Sequence, residues 1–193
     1  MTDDLLDKII VNPFLQLVAG RKSVRKFIDK PVERQKILTC IEAARLAPSA
    51  ENVQPWRFLV LDDRLIIDEF GKHAFSGVYQ YSRWAVKTPV LIVICAELDW
   101  LANRIGKEIQ GTRYYLIDIG IAGEHLVLQA QELGLGTCWI GWFHAKKAKK
   151  FLKIPRGWKV TALIALGYPK KKVKEQREKK KIEEILYFNH YKK

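Results

Sequence analysis

The chain has 193 residues, 48% of them hydrophobic and 11% aromatic, which is enough for one domain with a proper core and excludes a disordered chain. A net charge of +13 raises a nucleic-acid partner as an alternative. The charge is uneven, however: residues 170–181 alone hold eight basic and two acidic residues, a pattern typical of a solvated connector, and no helix-turn-helix, zinc or RNP-type signature accompanies it.

Asp3, Asp4 and Asp7 are wrong for a secretory or transit leader. The longest apolar run, 90–96, is too short to cross a bilayer, so a soluble, cytoplasmic protein is expected. Thr2-Asp3 caps a first helix carrying Leu5, Leu6, Ile9 and Ile10. Asn12-Pro13 reads as a second N-cap with proline at the first helical position, opening a helix with Phe14, Leu15, Leu17 and Val18 that ends at Gly20. A basic segment of alternating character follows over 21–27. Residues 33–46 form an amphipathic helix with Ile37, Cys40, Ile41 and Ala44 as its buried stripe, stopped by Pro48. Residues 49–55 are a polar loop, 56–61 a strand and 64–71 a short helix. The stretch 73–87 is rich in aromatics, with Phe75, Tyr79, Tyr81 and Trp84, and reads equally as a lid over a ligand or as a surface subcluster of the core. Residues 89–96 are an internal strand, apolar on both faces, and 97–111 are helical or irregular.

The stretch 113–143 organises the chain. Its first two-thirds is a helix apolar almost all round, the pattern of a buried helix. Gly120 and Gly123 sit within it, where glycine costs roughly 0.5–1 kcal/mol relative to alanine. That cost calls for a compensating gain, and a helix–helix contact across a dimer axis is the expectation. Gly134 ends the helix, and the turn Gly134-Leu135-Gly136 feeds an apolar run, 137–143, broken by Gly141. A basic short helix over 145–152 and a strand over 158–166, ending in Gly167-Tyr168-Pro169, come next. Beyond the charged connector, 182–187 reads as a last strand that adds to a sheet edge in a partner subunit. The sequence shows one domain and no internal repeat.

Cys40, Cys95 and Cys138 stand singly, with no CxxC and no cysteine–histidine cluster at metal spacing, so buried free thiols and no metal site are expected. Cys138 has no activating neighbour in sequence and is assigned to packing. His73, His125, His144 and His190 are isolated, and His125 on the apolar helix reads as a hydrogen-bonded core histidine. Asp118 on the same helix is expected to be paired or interfacial. There is no GxGxxG after a strand and no GxxxxGK[ST]; HExxH and GxSxG are absent too. An enzyme without acid–base machinery points to a cofactor as the chemical agent. In an extended segment Arg21, Ser23 and Arg25 project to one side, and two guanidiniums with a hydroxyl suit a phosphate. Main-chain N–H groups of the Gly-rich turn and the amide-bearing loop 48–54 suit a flat heterocycle.

The segments Arg21-Lys22-Ser23-Val24-Arg25-Lys26-Phe27, Ala43-Ala44-Arg45-Leu46-Ala47-Pro48-Ser49-Ala50, Asn52-Val53-Gln54-Pro55-Trp56, Gly134-Leu135-Gly136-Thr137-Cys138-Trp139-Ile140-Gly141 and Leu166-Gly167-Tyr168-Pro169 resemble, in order and spacing, those of the FMN-dependent nitroreductase superfamily. The resemblance implies an α+β fold with a central mixed sheet flanked by helices, and an intertwined homodimer with FMN at the interface. It implies an NAD(P)H oxidoreductase acting by a ping-pong mechanism on a nitroaromatic, quinone or similar acceptor, with no catalytic side chain, the chemistry lying on flavin N5. Arg21 and Ser23 would take the phosphate, Arg25 would lie near N1 and O2, and Lys22 would add a cation. Pro48, Ser49, Ala50, Asn52 and Gln54 would come from the other subunit. The backbone around Ile140 and Gly141, beside Trp139, would meet N5, and Arg177 and Lys179 are both candidates to return to the phosphate. A tyrosine-dehalogenating variant of the family is not supported, since Glu69 is followed one turn later by His73 and Glu108 by Thr112. A flavin-fragmenting or regulatory relative is the second reading, and nucleic-acid binding the third.

Overall fold

The structure is a computed structural model, describing residues 12–98, 112–171 and 178–191. Its elements, in chain order, are α1 (Pro13–Gly20), α2 (Arg34–Arg45), β1 (Trp56–Leu61), α3 (Arg64–Ala74), β2 (Val90–Glu97), α4 (Tyr114–Glu132), β3 (Gly136–Ile140), α5 (Ala145–Phe151) and β4 (Trp158–Gly167). Short 3-10 segments cover Ala50–Asn52, Gly77–Lys87 and Ile182–Glu184. The helix expected over the first residues, most of 97–111, and Arg177 lie outside the described residues.

The four strands form one sheet in the order β1-β2-β4-β3, each neighbouring pair antiparallel. Among the described residues, its parallel component is a single bridge between Ser23 and Thr137 on the outer edge of β3. The continuous apolar run of β2 is explained by its central position. With side chains alternating across the sheet, Ile92 and Ile94 join α2 and α4 on one face. Leu91, Val93 and Cys95 join Ile67 and Phe70 of α3 and Ala148 of α5 on the other. The stripe of α2 is as expected: Ile37, Cys40 and Ala44 are buried and Ile41 packs against the same core. At α1, Asn12 accepts from the Leu15 N–H at 2.9 Å and Pro13 occupies the first turn.

Three expectations are corrected. First, α4 is not enclosed within the chain. Tyr115, Ile119, Ala122, Leu126 and Ala130 are buried, but Tyr114, Leu116 and Ile117 are exposed, Ile117 by 50%. The apolar residues of α1 likewise bury no side chain. Second, Gly123 does not face a helix. A Cβ on Gly123 would stand 2.1 Å from Cη2 of Trp139, whereas one on Gly120 would meet nothing within 4 Å. Gly123 thus makes room for an indole from β3. Third, residues 182–187 do not form a strand. The Lys181 N–H donates to the Glu184 carboxylate at 2.7 Å and the Leu186 N–H to the Ile182 carbonyl at 2.9 Å. These local i→i+3 and i→i+4 bonds satisfy the backbone as a turn, where a strand needs a neighbour.

Candidate functional site

The extended basic segment is fixed along β3. Val24 N–H donates to the Thr137 carbonyl at 2.8 Å, and a Cβ on Gly136 would come within 2.6 Å of the Val24 side chain, so glycine is what lets the two backbones approach. The far end of the segment is tied to the Gly-Tyr-Pro motif. Phe27 bridges Pro169, Ile28 N–H donates to the Tyr168 carbonyl at 2.9 Å, and Lys170 N–H to the Lys26 carbonyl at 2.9 Å.

Alternation divides the segment's side chains. Lys22 and Val24 line a cleft of about 370 Å³ together with Gly20, Gly134, Gly136 and Pro169. Arg21 and Arg25 take other neighbours. Arg21 Nε lies 3.7 Å from a carboxylate oxygen of Glu124, whose other oxygen accepts from Trp139 Nε1 at 3.4 Å. The Arg25 guanidinium lies over the Trp84 ring, 5.9 Å from its centroid. Ser23 thus bridges Thr137 on the edge of β3, and Arg21 shares Glu124 with Trp139 of the same strand. Gly141 is exposed, and nothing lies within 4 Å of the position its Cβ would take, so its main chain is open to a flat partner.

Loop 48–54 sits elsewhere on the chain, against the N-terminal half of α4. The Ala50 N–H donates to Asp118 Oδ1 at 3.1 Å, the Gln54 N–H to Ser49 Oγ at 2.9 Å, and Gln54 Nε2 to Asn52 Oδ1 at 3.1 Å. Three non-glycine residues adopt left-handed backbone here, Glu51 (φ 50°), Asn52 (φ 56°) and Gln54 (φ 50°). Asparagine tolerates that region; for the others it costs of order 1–3 kcal/mol each, and such strain gathers at ligand-contacting loops. Asp118 is 4% exposed, and burial pushes its carboxyl above the usual range, with the Ala50 N–H partly opposing the shift. Lys179 is exposed in an irregular stretch.

Sequence reasoning missed several positioning residues. Glu124, which holds both Arg21 and Trp139, was visible only as an acid interrupting an apolar helix. Tyr168, visible only as part of the Gly-Tyr-Pro motif, is held by contacts the motif did not show: its hydroxyl donates to Glu33, accepts from Lys36 Nζ at 2.9 Å, and its ring carries Lys30 Nζ at 4.3 Å. The hydroxyl is the main cause that draws the Glu33 carboxyl down to about 2. His125 Nδ1 lies 3.3 Å from the Ala43 carbonyl, the core role expected. The three cysteines are buried, and burial pushes the Cys40 and Cys95 thiols up to about 11, which leaves them protonated at neutral pH.

The family model for the Nitroreductase family matches residues 18–168, most of the chain, and the chain belongs to that family. It is therefore an oxidoreductase. A nitroreductase family protein from Clostridium novyi NT is 36% identical, with a TM-score of 0.73 over 82% of this chain and 88% of that one. An FMN-dependent nitroreductase from Clostridium difficile R20291 is 27% identical, with a TM-score of 0.72 over 91% of this chain and 98% of that one. Among curated relatives, 5,6-dimethylbenzimidazole synthase of Rhodospirillum rubrum is 28% identical over 187 residues, 88% of each chain. No helix among the described residues is long and apolar enough to cross a membrane.

Proposed function

We propose that the protein is an FMN-dependent oxidoreductase that passes a hydride from NADH or NADPH to a nitroaromatic, quinone or similar acceptor, and that it works as a homodimer. The observation that carries this reading is the pairing of the basic segment with β3. It runs the segment that carries Arg21, Ser23 and Arg25 along the edge of the strand after which the exposed Gly141 follows; two guanidiniums and a hydroxyl suit a phosphate, and an open main-chain N–H suits a flat ring edge. FMN, when bound, supplies the hydride-accepting and hydride-donating ring. Arg21 and Ser23 hold its phosphate, with Lys22, Arg177 and Lys179 as further cations. Arg25 faces the pyrimidine end, where its charge opposes the negative charge gained on reduction. The Gly141 N–H, with Trp139 and Ile140 preceding it, would meet N5. No side chain acts as nucleophile. One open face serves donor and acceptor in turn, which makes the kinetics ping-pong.

The second subunit supplies Pro48, Ser49, Ala50, Asn52 and Gln54, as the resemblance implies; on its own chain this loop is held at Asp118 of α4. The exposed apolar residues of α4 and α1 are the surface a second copy covers. On this reading the chain is a single domain, with 170–181 as connector and 182–187 as the segment that reaches the partner.

The test is steady-state oxidation of NADH and NADPH by FMN-loaded protein with a nitro compound or a quinone. Saturable turnover with parallel double-reciprocal lines is expected, and no turnover with any acceptor despite bound FMN would refute the reading. The similarity to 5,6-dimethylbenzimidazole synthase favours a second reading, flavin fragmentation. Chromatography of the flavin after incubation with reductant and oxygen distinguishes the two: intact FMN supports the first, a benzimidazole product the second.

A further inference from the structure

Beyond Gly141 the chain builds a face that the flavin site does not use. Trp142 follows Gly141 directly and is 57% exposed. Its indole is fixed, with Nε1 donating to the Val78 carbonyl at 3.0 Å. The Tyr79 ring lies 5.2 Å from the Trp142 ring and 5.4 Å from the His144 ring. The imidazole is fixed in turn, because Nδ1 accepts from the Lys147 N–H at 3.5 Å while the His144 N–H donates to the Ala74 carbonyl at 2.8 Å. At the rim, Lys147 Nζ donates to Ser76 Oγ at 3.1 Å, which places an ammonium and a hydroxyl beside three immobilised rings.

The charge along this face is mainly positive. The segments that build it, 71–88 and 133–171, contain no aspartate or glutamate and carry Arg83, Lys87, Lys146, Lys147, Lys149 and Lys150 among other cations, while Lys72 is paired with Glu69 just outside them. A plain core subcluster needs neither an exposed indole nor a cationic rim. Aromatic faces favour stacked or edge-on rings, and an ammonium within reach favours an anion on that ring.

We infer that Tyr79, Trp142 and His144, with Lys147 and Ser76 at the rim, form the outer part of the acceptor site and select planar aromatic compounds bearing a carboxylate or similar anionic group. This rests on the reading of Gly141 as the hydride-transfer position. Ring stacking fixes the plane of the acceptor, and the cation fixes which end points outward. The same anionic chemistry could come from the phosphates of the nicotinamide donor, and the test separates the two.

The experiment measures binding and turnover on FMN-loaded protein. Dissociation constants of naphthalene-2-carboxylate and its uncharged amide are obtained by titration calorimetry, and kcat/KM for 4-nitrobenzoate and 4-nitrobenzamide by NAD(P)H oxidation. The carboxylates are expected to be favoured by about threefold to fivefold, the range of one exposed ion pair. Lys147→Gln brings both ratios to near one, and Trp142→Ala weakens both naphthalene ligands by about fivefold. Equal constants for acid and amide in the native protein overturn the inference. So does an effect of Lys147→Gln confined to the KM of the nicotinamide donor, which would assign the cation to the donor's phosphates. Turnover of both nitro compounds without discrimination defeats this inference alone, whereas absence of turnover with either, and with quinones, defeats the parent reading.

Discussion

Gly123 and Trp139 form the tightest fit at the site. A methyl group on Gly123 would lie 2.1 Å from the indole, and neither the ring nor the helix can yield cheaply. Gly123→Ala should therefore lower stability by about 1–2 kcal/mol in urea unfolding despite its better helix propensity, and Gly120→Ala, with open space around it, should not. Glu124 argues in the other direction. It neutralises Arg21 at 3.7 Å, where an anionic phosphate is proposed to bind, so Glu124→Gln should tighten FMN binding by a few-fold while keeping an acceptor for Trp139; a weaker affinity would show that Glu124 positions Arg21 rather than competing for it. Asp118 supplies a pH signature. Its carboxyl is harder to ionise folded than unfolded because it is buried. The native chain accordingly loses stability as pH rises through its folded value. Asp118→Asn keeps an acceptor for Ala50 and removes that loss. The variant's advantage should be near zero below the ordinary carboxylate value of about 4 and should grow toward pH 7, as followed by denaturant titration at both pH values.

The elements were legible where one physical signal dominated. The span of β1 over 56–61, the Asn12-Pro13 start of α1 and the stripe of α2 follow from alternation, capping and helical period, and the structure agrees with them. The limits of α4 were legible too, but its environment was not. An apolar helix reads as buried whether the cover comes from its own chain or another, and sequence pattern does not say which. The 182–187 segment failed for a related reason: its apolar run fits a strand only beside a neighbour, and alone it closes into a turn. Likewise the motif residues of the site were visible, Tyr168 among them, but Glu124 and the contacts of Tyr168 with α2 were not, because each acts through contacts distant in sequence. The loop 48–54 shows the strain that sequence hides. Glu51 holds φ at 50°, so Glu51→Gly should raise the melting temperature by about 2–4 °C, the shift expected for roughly 1 kcal/mol in a chain of this size.

For the whole molecule, the proposed assembly and the proposed cofactor stand together, since five of the fourteen proposed contacting residues are assigned to a second chain. Ile117 is half exposed on the apolar face of α4, and Ile117→Glu should convert a dimer into monomers by sedimentation velocity and lose bound FMN with it; retention of FMN by a monomer would separate the two claims. The central claim is that cations of the 21–25 segment hold FMN against the edge of β3. Its most direct test is titration of FMN into the apoprotein, followed by quenching of flavin fluorescence, for the native chain and for Arg21→Ala combined with Arg25→Ala. The account predicts one saturable site per chain and a loss of about 100-fold or more in the double variant, as two charge-assisted contacts of roughly 1.5–3 kcal/mol each require. An affinity unchanged by the two substitutions would contradict it.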